Sequence, residues 1–236
     1  MRKYDWTETT FHNIDWKAHG RKLKKLTPTR RTTVIKFIHR WIVMKKHQQR
    51  VGRSNTPDCP LCGAMEERRH LFCCDNPMAQ QLREHMWLKL IQNLGKHTAA
   101  GLQQLFTSGL KMVLGATEPD THTKLEWPDG LRQAFEIQSL IGWDQVFYGR
   151  IAGQWEQLAH EDSIPEDTKS RSQWTCRAIR LCWDFEIQLW VLHNQLVHGT
   201  SKGISQVEIE CVESLTVAVY DALKYELTDS EKKALN

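Results

Sequence analysis

Apolar residues recur at intervals of three and four along most of the chain, and strand-like alternation is nowhere sustained, which predicts a mainly helical protein. Residues 14–25 predict a short helix opening near Asp15, and Thr27-Pro28-Thr29 interrupts it. From about Arg30 to Arg50, Val34, Ile35, Phe37, Ile38, Trp41, Ile42, Val43 and Met44 keep helical spacing. Arg31, Lys36, Arg40, Lys45 and Lys46 fall opposite, so this stretch predicts one amphipathic basic helix. Residues 51–58 are loop by composition. A helix over 77–94 follows, with Asp75 or Asn76 as N-cap and Gly95 as its close, then a shorter one over 99–114.

The stretch 115–130 reads as a linker, dividing a first unit over 1–114 from a helical bundle over 131–236. Residues 131–160 are helical by spacing, with Gly142 and Gly149 as joints. A polar loop over 161–171 leads to a long apolar helix, about 172–198, that ends at Gly199. A last helix is predicted over about 205–227. The fold class expected is all-α: helical bundles carrying one small cysteine-rich segment.

Charge is unevenly spread. Residues 1–53 hold fifteen Lys and Arg against three Asp and Glu, a net of +12, and the remainder carries −8. A basic quarter on an acidic body is the pattern of a chain whose one end faces a polyanion. Lys22, Lys24, Lys25, Arg30, Arg31, Lys36, Arg40, Lys45 and Lys46 are the candidate phosphate contacts. His39, Trp41 and His47 lie among them and could stack on bases. Ten Trp and a mean hydropathy of −0.54 describe a globular chain. No apolar run approaches the roughly 18–20 residues that span a bilayer. The opening residues lack the apolar stretch of a signal peptide, so an intracellular location, nuclear or cytoplasmic, is expected.

Four of the seven cysteines fall within sixteen residues. Cys59-Pro-Leu-Cys62-Gly63 presents two thiolates from one tight turn, and the glycine lets the backbone bend around the sulfurs. His70 and Cys74 are four residues apart and share a face if that segment makes a helical turn. Cys59, Cys62, His70 and Cys74 would complete a closed tetrahedral shell, the arrangement of a structural zinc ion. Cys73 is a rival fourth ligand that spacing leaves open. Few apolar residues lie between the basic stretch and residue 77, so zinc would supply folding free energy that a small core cannot.

This segment, with Glu67 before His70-Leu71-Phe72 and then Cys74, resembles the zinc-binding segment of non-LTR retrotransposon reverse transcriptases, which lies downstream of the polymerase domain. The resemblance favours Cys74 over Cys73. It extends to Ile14-Asp15-Trp16, the basic stretch ending at Arg50, and the Ile141-Gly142-Trp143 and Gly149-Arg150-Ile151 segments. Leu189-Trp190 with Asn194 and His198-Gly199 also looks like retroelement-derived proteins of algal and oomycete type. There the late motif usually carries Arg where this chain has His193. The Tyr-x-Asp-Asp tetrapeptide of the polymerase is absent, as is a phosphate-binding loop. The resemblance therefore implies the tail of a retroelement polyprotein without its polymerase.

Other patterns read as structure. Pro128-Asp129 with Glu136-Ile137-Gln138 loosely matches a restriction-like nuclease site, but such carboxylates sit on a β-hairpin and this stretch has helical spacing. His193 and His198 are poorly placed as co-ligands, whereas Asn194 and His198 share a helix face. Trp174, Trp183 and Trp190 read as core, as do Cys176, Cys182 and Cys211. The expected function is a non-enzymatic, zinc-stabilised module that binds RNA or DNA through its basic helices. The alternative is a helical scaffold for a protein partner with purely structural zinc, and a metal-dependent nuclease comes third.

Overall fold

Helix ends in this chain are set by short-range chemistry. A computed structural model describes residues 6–96, 98–116, 126–161, 173–199 and 206–226. Thr7 caps α1 (Glu8–His12), and Asp15 caps α2 (Trp16–Lys25) by accepting from the Ala18 N–H at 2.8 Å. The Thr-Pro-Thr that interrupts α2 also starts α3 (Pro28–His39), with Pro28 in the first turn, where its missing N–H costs nothing. Asn76 accepts from the N–H groups of Met78 and Ala79 and opens α5 (Pro77–Gly95), which follows α4 (Lys45–Arg50) and a 3-10 turn over Arg68–Phe72. Then come α6 (Ala100–Val113), α7 (Asp129–Ile141), a second 3-10 turn (Trp143–Tyr148), α8 (Gln154–Glu161), α9 (Trp174–His198) and α10 (Gln206–Glu226). No strand occurs among the described residues, which hold two isolated bridges, Ile14 to Ala152 and Asp58 to Met65. The mainly helical class expected from periodicity is what the chain adopts.

One expectation fails: residues 30–50 are not a single helix. The α3 helix stops at His39, and Arg40 turns left-handed at φ +60°, the one non-glycine residue at positive φ among those described. The Trp41 N–H closes the end by donating to the Lys36 carbonyl at 2.7 Å. A left-handed residue with a Cβ costs about 1–2 kcal/mol. What offsets it is burial, because the next four residues alternate: Ile42 and Met44 are buried while Trp41 and Val43 are 63% and 46% exposed. A continued helix would have put these apolar side chains on neighbouring faces, whereas the extended segment sorts them by twos.

The long α9 is the axis of the core, touching α2, α3, α5, α8 and both 3-10 turns. Phe106 of α6 stands edge-on to Trp143, Trp155 and Trp174, with centroids 5.7, 5.3 and 5.0 Å away. Each such pair adds about 0.5–1.5 kcal/mol beyond its buried area. Gly109 makes the approach possible, since a Cβ there would lie 2.2 Å from the Trp143 ring. Gly142 and Gly149 are the joints that their positions suggested, at φ +103° and +71°. Between them, buried Gln138 accepts from the Ala152 N–H at 2.9 Å and donates to the Arg150 carbonyl at 3.3 Å.

Residues on both sides of the expected linker contribute to this one buried cluster. Residues 117–125 of that linker, and 162–172 of the expected polar loop, lie outside the described residues. Trp174, Trp183, Cys176 and Cys182 are buried as expected, but Cys211 is exposed on α10, as are Val212, Leu215, Val217 and Val219. No helix among the described residues is long and apolar enough to cross a membrane.

Candidate metal centre and the basic groove beside it

A narrow turn brings Cys59 and Cys62 together. The Cys59 N–H donates to the Ala64 carbonyl at 2.7 Å, and the Gly63 N–H returns to the Cys59 carbonyl at 2.8 Å. Gly63 sits at φ +74°, which a side chain would resist. The Leu61 N–H points at the Cys59 sulfur from 3.4 Å. His70 rides on the 3-10 turn, whose C-cap is Cys73, and Cys74 comes next. The ligand atoms of Cys59, Cys62, His70 and Cys74 all lie within 4.8 Å of one another, and the Cys62 Sγ is 3.4 Å from the His70 Nε2. Ligands held at about 2.0–2.3 Å around one tetrahedral ion stand about 3.5–3.8 Å apart, so the group is sized for a metal ion.

The geometry also separates the two rival cysteines. Cys74 is buried, and a contact with Cys59 lowers its thiol pKa toward the ligating form. Cys73 is exposed, turns its thiol to the Arg69 carbonyl at 3.4 Å, and has its pKa raised by desolvation. The Cys59 sulfur beside His70 raises the imidazole pKa.

Sequence reasoning missed what stands behind this group. Buried Glu66 accepts the Lys45 N–H at 3.0 Å, and its other oxygen lies 2.6 Å from the Nε2 of His193 on α9. Cys59, Glu66 and His193 form a second close set with their ligand atoms within 4.8 Å. Burial opposes charge on His193, but the Cys59 sulfur and the Glu66 carboxylate outweigh it and hold its pKa up at about 9. Burial likewise works against the Glu66 carboxylate, and His193 with the Lys45 N–H more than reverses it. His193 is thus the tie between the cysteine turn and the longest helix. Nothing in its local sequence pairs it with Glu66.

The basic residues divide by use. Arg31 is spent on backbone, donating to the carbonyls of Leu23 (3.1 Å), Lys24 (2.7 Å) and Leu26 (3.0 Å) at the end of α2. Arg30 pairs with Asp184 of α9. Lys22 is half-buried, and desolvation lowers its pKa. Lys24, Lys25 and Lys36 are exposed. Arg40 and Lys46, with His47, Arg50, Arg68 and Arg69, line a groove of about 630 Å³ floored by Ile42 and Met44. Glu67, which pairs with Lys46 at 2.8 Å, and Asp144 are its acidic members. Lys45 stands at the head of α4, its N–H on Glu66. Arg50, Arg68 and Arg69 were not among the expected contacts, because only the cysteine turn brings 68–69 across to α4.

The nuclease-like residues lie on a helix. Asp129 opens α7 and pairs with Arg132, Glu136 is exposed, and Gln138 is buried in the joint described above. No protein-family model, curated protein or solved structure matches this chain.

Proposed function

We propose that the protein is a non-enzymatic, zinc-stabilised module that binds nucleic acid along the groove between α4 and the 3-10 turn of the cysteine segment. The observation that carries this reading is the groove itself. Five Lys and Arg side chains against two carboxylates converge beside the candidate metal centre. Zinc is the ion that three thiolates and one imidazole select in a closed structural site. Its part is mechanical: Cys59, Cys62, His70 and Cys74 would hold the turn that presents Arg68 and Arg69 to α4. The likeness of this motif to retroelement zinc segments supports the same reading. Backbone phosphates are the expected contacts, which gives affinity with little sequence preference.

Retardation of RNA and duplex DNA by the purified protein tests this across a salt series. Lys46 is paired with Glu67 and Arg68 lies over the Tyr148 ring at 3.9 Å, so with about three phosphate contacts, at Arg40, Arg50 and Arg69, log affinity should fall against log salt with a slope of about −2.5. Arg50→Glu with Arg69→Glu should weaken binding and flatten the slope at unchanged helicity. Arg30 and Arg31 are unsuited to that test, because their contacts hold α2 and α9. One observation favours a second reading, a scaffold for a protein partner: the exposed Val212, Leu215, Val217 and Val219 of α10. A metal-loaded protein that retards no nucleic acid at low salt would decide for the scaffold.

A further inference from the structure

The segment Trp41–Met44 separates two hollows. On one side is the basic groove; on the other is a cavity of about 230 Å³, and Ile42 lines both. Trp41 and Trp190 line the cavity together with Lys36, Gln48, Asn194 and His198. Trp190, Asn194 and His198 recur every four residues, so α9 gives them one face. Trp41 is 63% exposed and stacked on His39 at 4.8 Å, and Trp190 lies flat on His193 at 5.5 Å.

We propose that this cavity receives a single unpaired nucleobase from a strand, RNA or single-stranded DNA, whose backbone runs in the basic groove. The proposal rests on the nucleic-acid reading above and adds to it a preference for unpaired strands. Two indoles supply flat apolar surface for a heterocycle, and base stacking on aromatic side chains tolerates any base. The Gln48 and Asn194 amides and the His198 ring offer both donors and acceptors to its edge. A purely apolar ligand would leave those polar groups unpaired, and a free phosphate has no use for two indoles. The volume lies below the roughly 300–1,000 Å³ of drug-sized pockets, which suits one ring system and excludes a base pair. Lys36 at the rim is placed for the phosphate that follows the base. A paired base is held inside its stack and reaches such a pocket only by flipping out, so duplexes should use the groove alone.

The test compares single strands of about twelve nucleotides, in RNA and in DNA, with the corresponding duplexes. Trp41→Ala and Asn194→Ala should each lower single-strand affinity about tenfold, and Trp41→Phe should retain most of it. Duplex affinity should be unchanged by all three, with metal content and helicity as folding controls. An abasic linker at the responsive position of the strand should reproduce the loss and make Trp41→Ala silent. Wild-type protein that binds single strand and duplex alike, with Trp41→Ala changing neither, overturns the base pocket and leaves the groove standing. Wild-type protein that binds neither removes the groove reading, and the pocket with it.

Discussion

Between Asp58 and Asp75 the chain buries two apolar residues that are not cysteine, Leu71 and Phe72, and its other buried groups are Cys59, Glu66, His70 and Cys74. Around α9, by contrast, the buried set includes Trp155, Trp174, Trp183, Phe37, Phe106, Phe135, Phe147 and Phe185, packed edge and face. The first region has almost no apolar area to remove from water, so on the proposed reading its order would depend on an ion held by its four ligands. The second needs neither, since each large side chain it buries contributes about 1.5–3 kcal/mol. One molecule thus draws on two kinds of stability, joined where Phe72 packs against Phe147 and Phe185 and where His193 meets Glu66.

The largest effect should come from the metal. Cys62→Ser, or a strong chelator, should abolish protection of backbone amides over 58–75, because structural zinc in small modules carries about 10–16 kcal/mol of apparent binding energy. Helices α5, α6 and α9 should keep theirs. Hydrogen exchange read by mass spectrometry reports both regions at once. Uniform loss across the chain would show that the two are not separable.

Phe106→Ala acts on the aromatic region instead. It removes the ring shared by three tryptophans and should lower global stability by about 3–5 kcal/mol in denaturant titration. Bound metal per folded chain should not change. A variant that folds yet loses metal would contradict the division.

Acidity sharpens it further. Glu186 is buried in α9, where desolvation raises its carboxyl pKa well above the usual 4.5, and the charge of Arg68 only partly opposes this. The folded state therefore favours the protonated form. The stability this gives is full below the unfolded value and is lost as pH climbs toward the raised folded value. Glu186→Gln should flatten that decline and stabilise the protein at neutral pH. Thermal unfolding of both proteins between pH 4 and 8 checks the sign, and an unchanged slope would sink it.

The smallest effect is Cys73→Ser. Its thiol is exposed and faces the Arg69 carbonyl, so the change should stay within about 0.5 kcal/mol. Cys74→Ser should behave as Cys62→Ser does. Retained metal in Cys74→Ser with loss in Cys73→Ser would reverse the assignment of the fourth ligand.

Much of this was legible wherever a local signal decides. Asp15, Asn76 with Pro77, and Gly199 mark helix ends by hydrogen bonds and dihedrals confined to a few residues. The cysteine spacing works in the same way, since Cys59 and Cys62 need only one turn to meet. The break at Arg40 gave no such signal. No Gly or Pro stands there, and Trp41-Ile42-Val43-Met44 satisfies helical spacing and strand alternation equally. Burial of Ile42 and Met44 in the core cluster decided between them. The contact of His193 with Glu66 was hidden for a different reason: it joins two distant segments through tertiary structure alone, and the groove of Arg40, Arg50 and Arg69 was hidden with it.

That contact has a consequence in time. Cys59 to Cys74 spans sixteen residues, so all four ligands leave the ribosome together, long before residue 193 has been made. Closing so short a loop costs little entropy, and the turn can take up an ion while the remainder of the chain is still being synthesised. When α9 is finally released, it meets a finished object, with Glu66 already fixed beside Cys59 and ready for the incoming imidazole. On the proposed reading, the order of synthesis would make the cysteine turn a template for the longest helix, and a cell short of the ion would lose that template first.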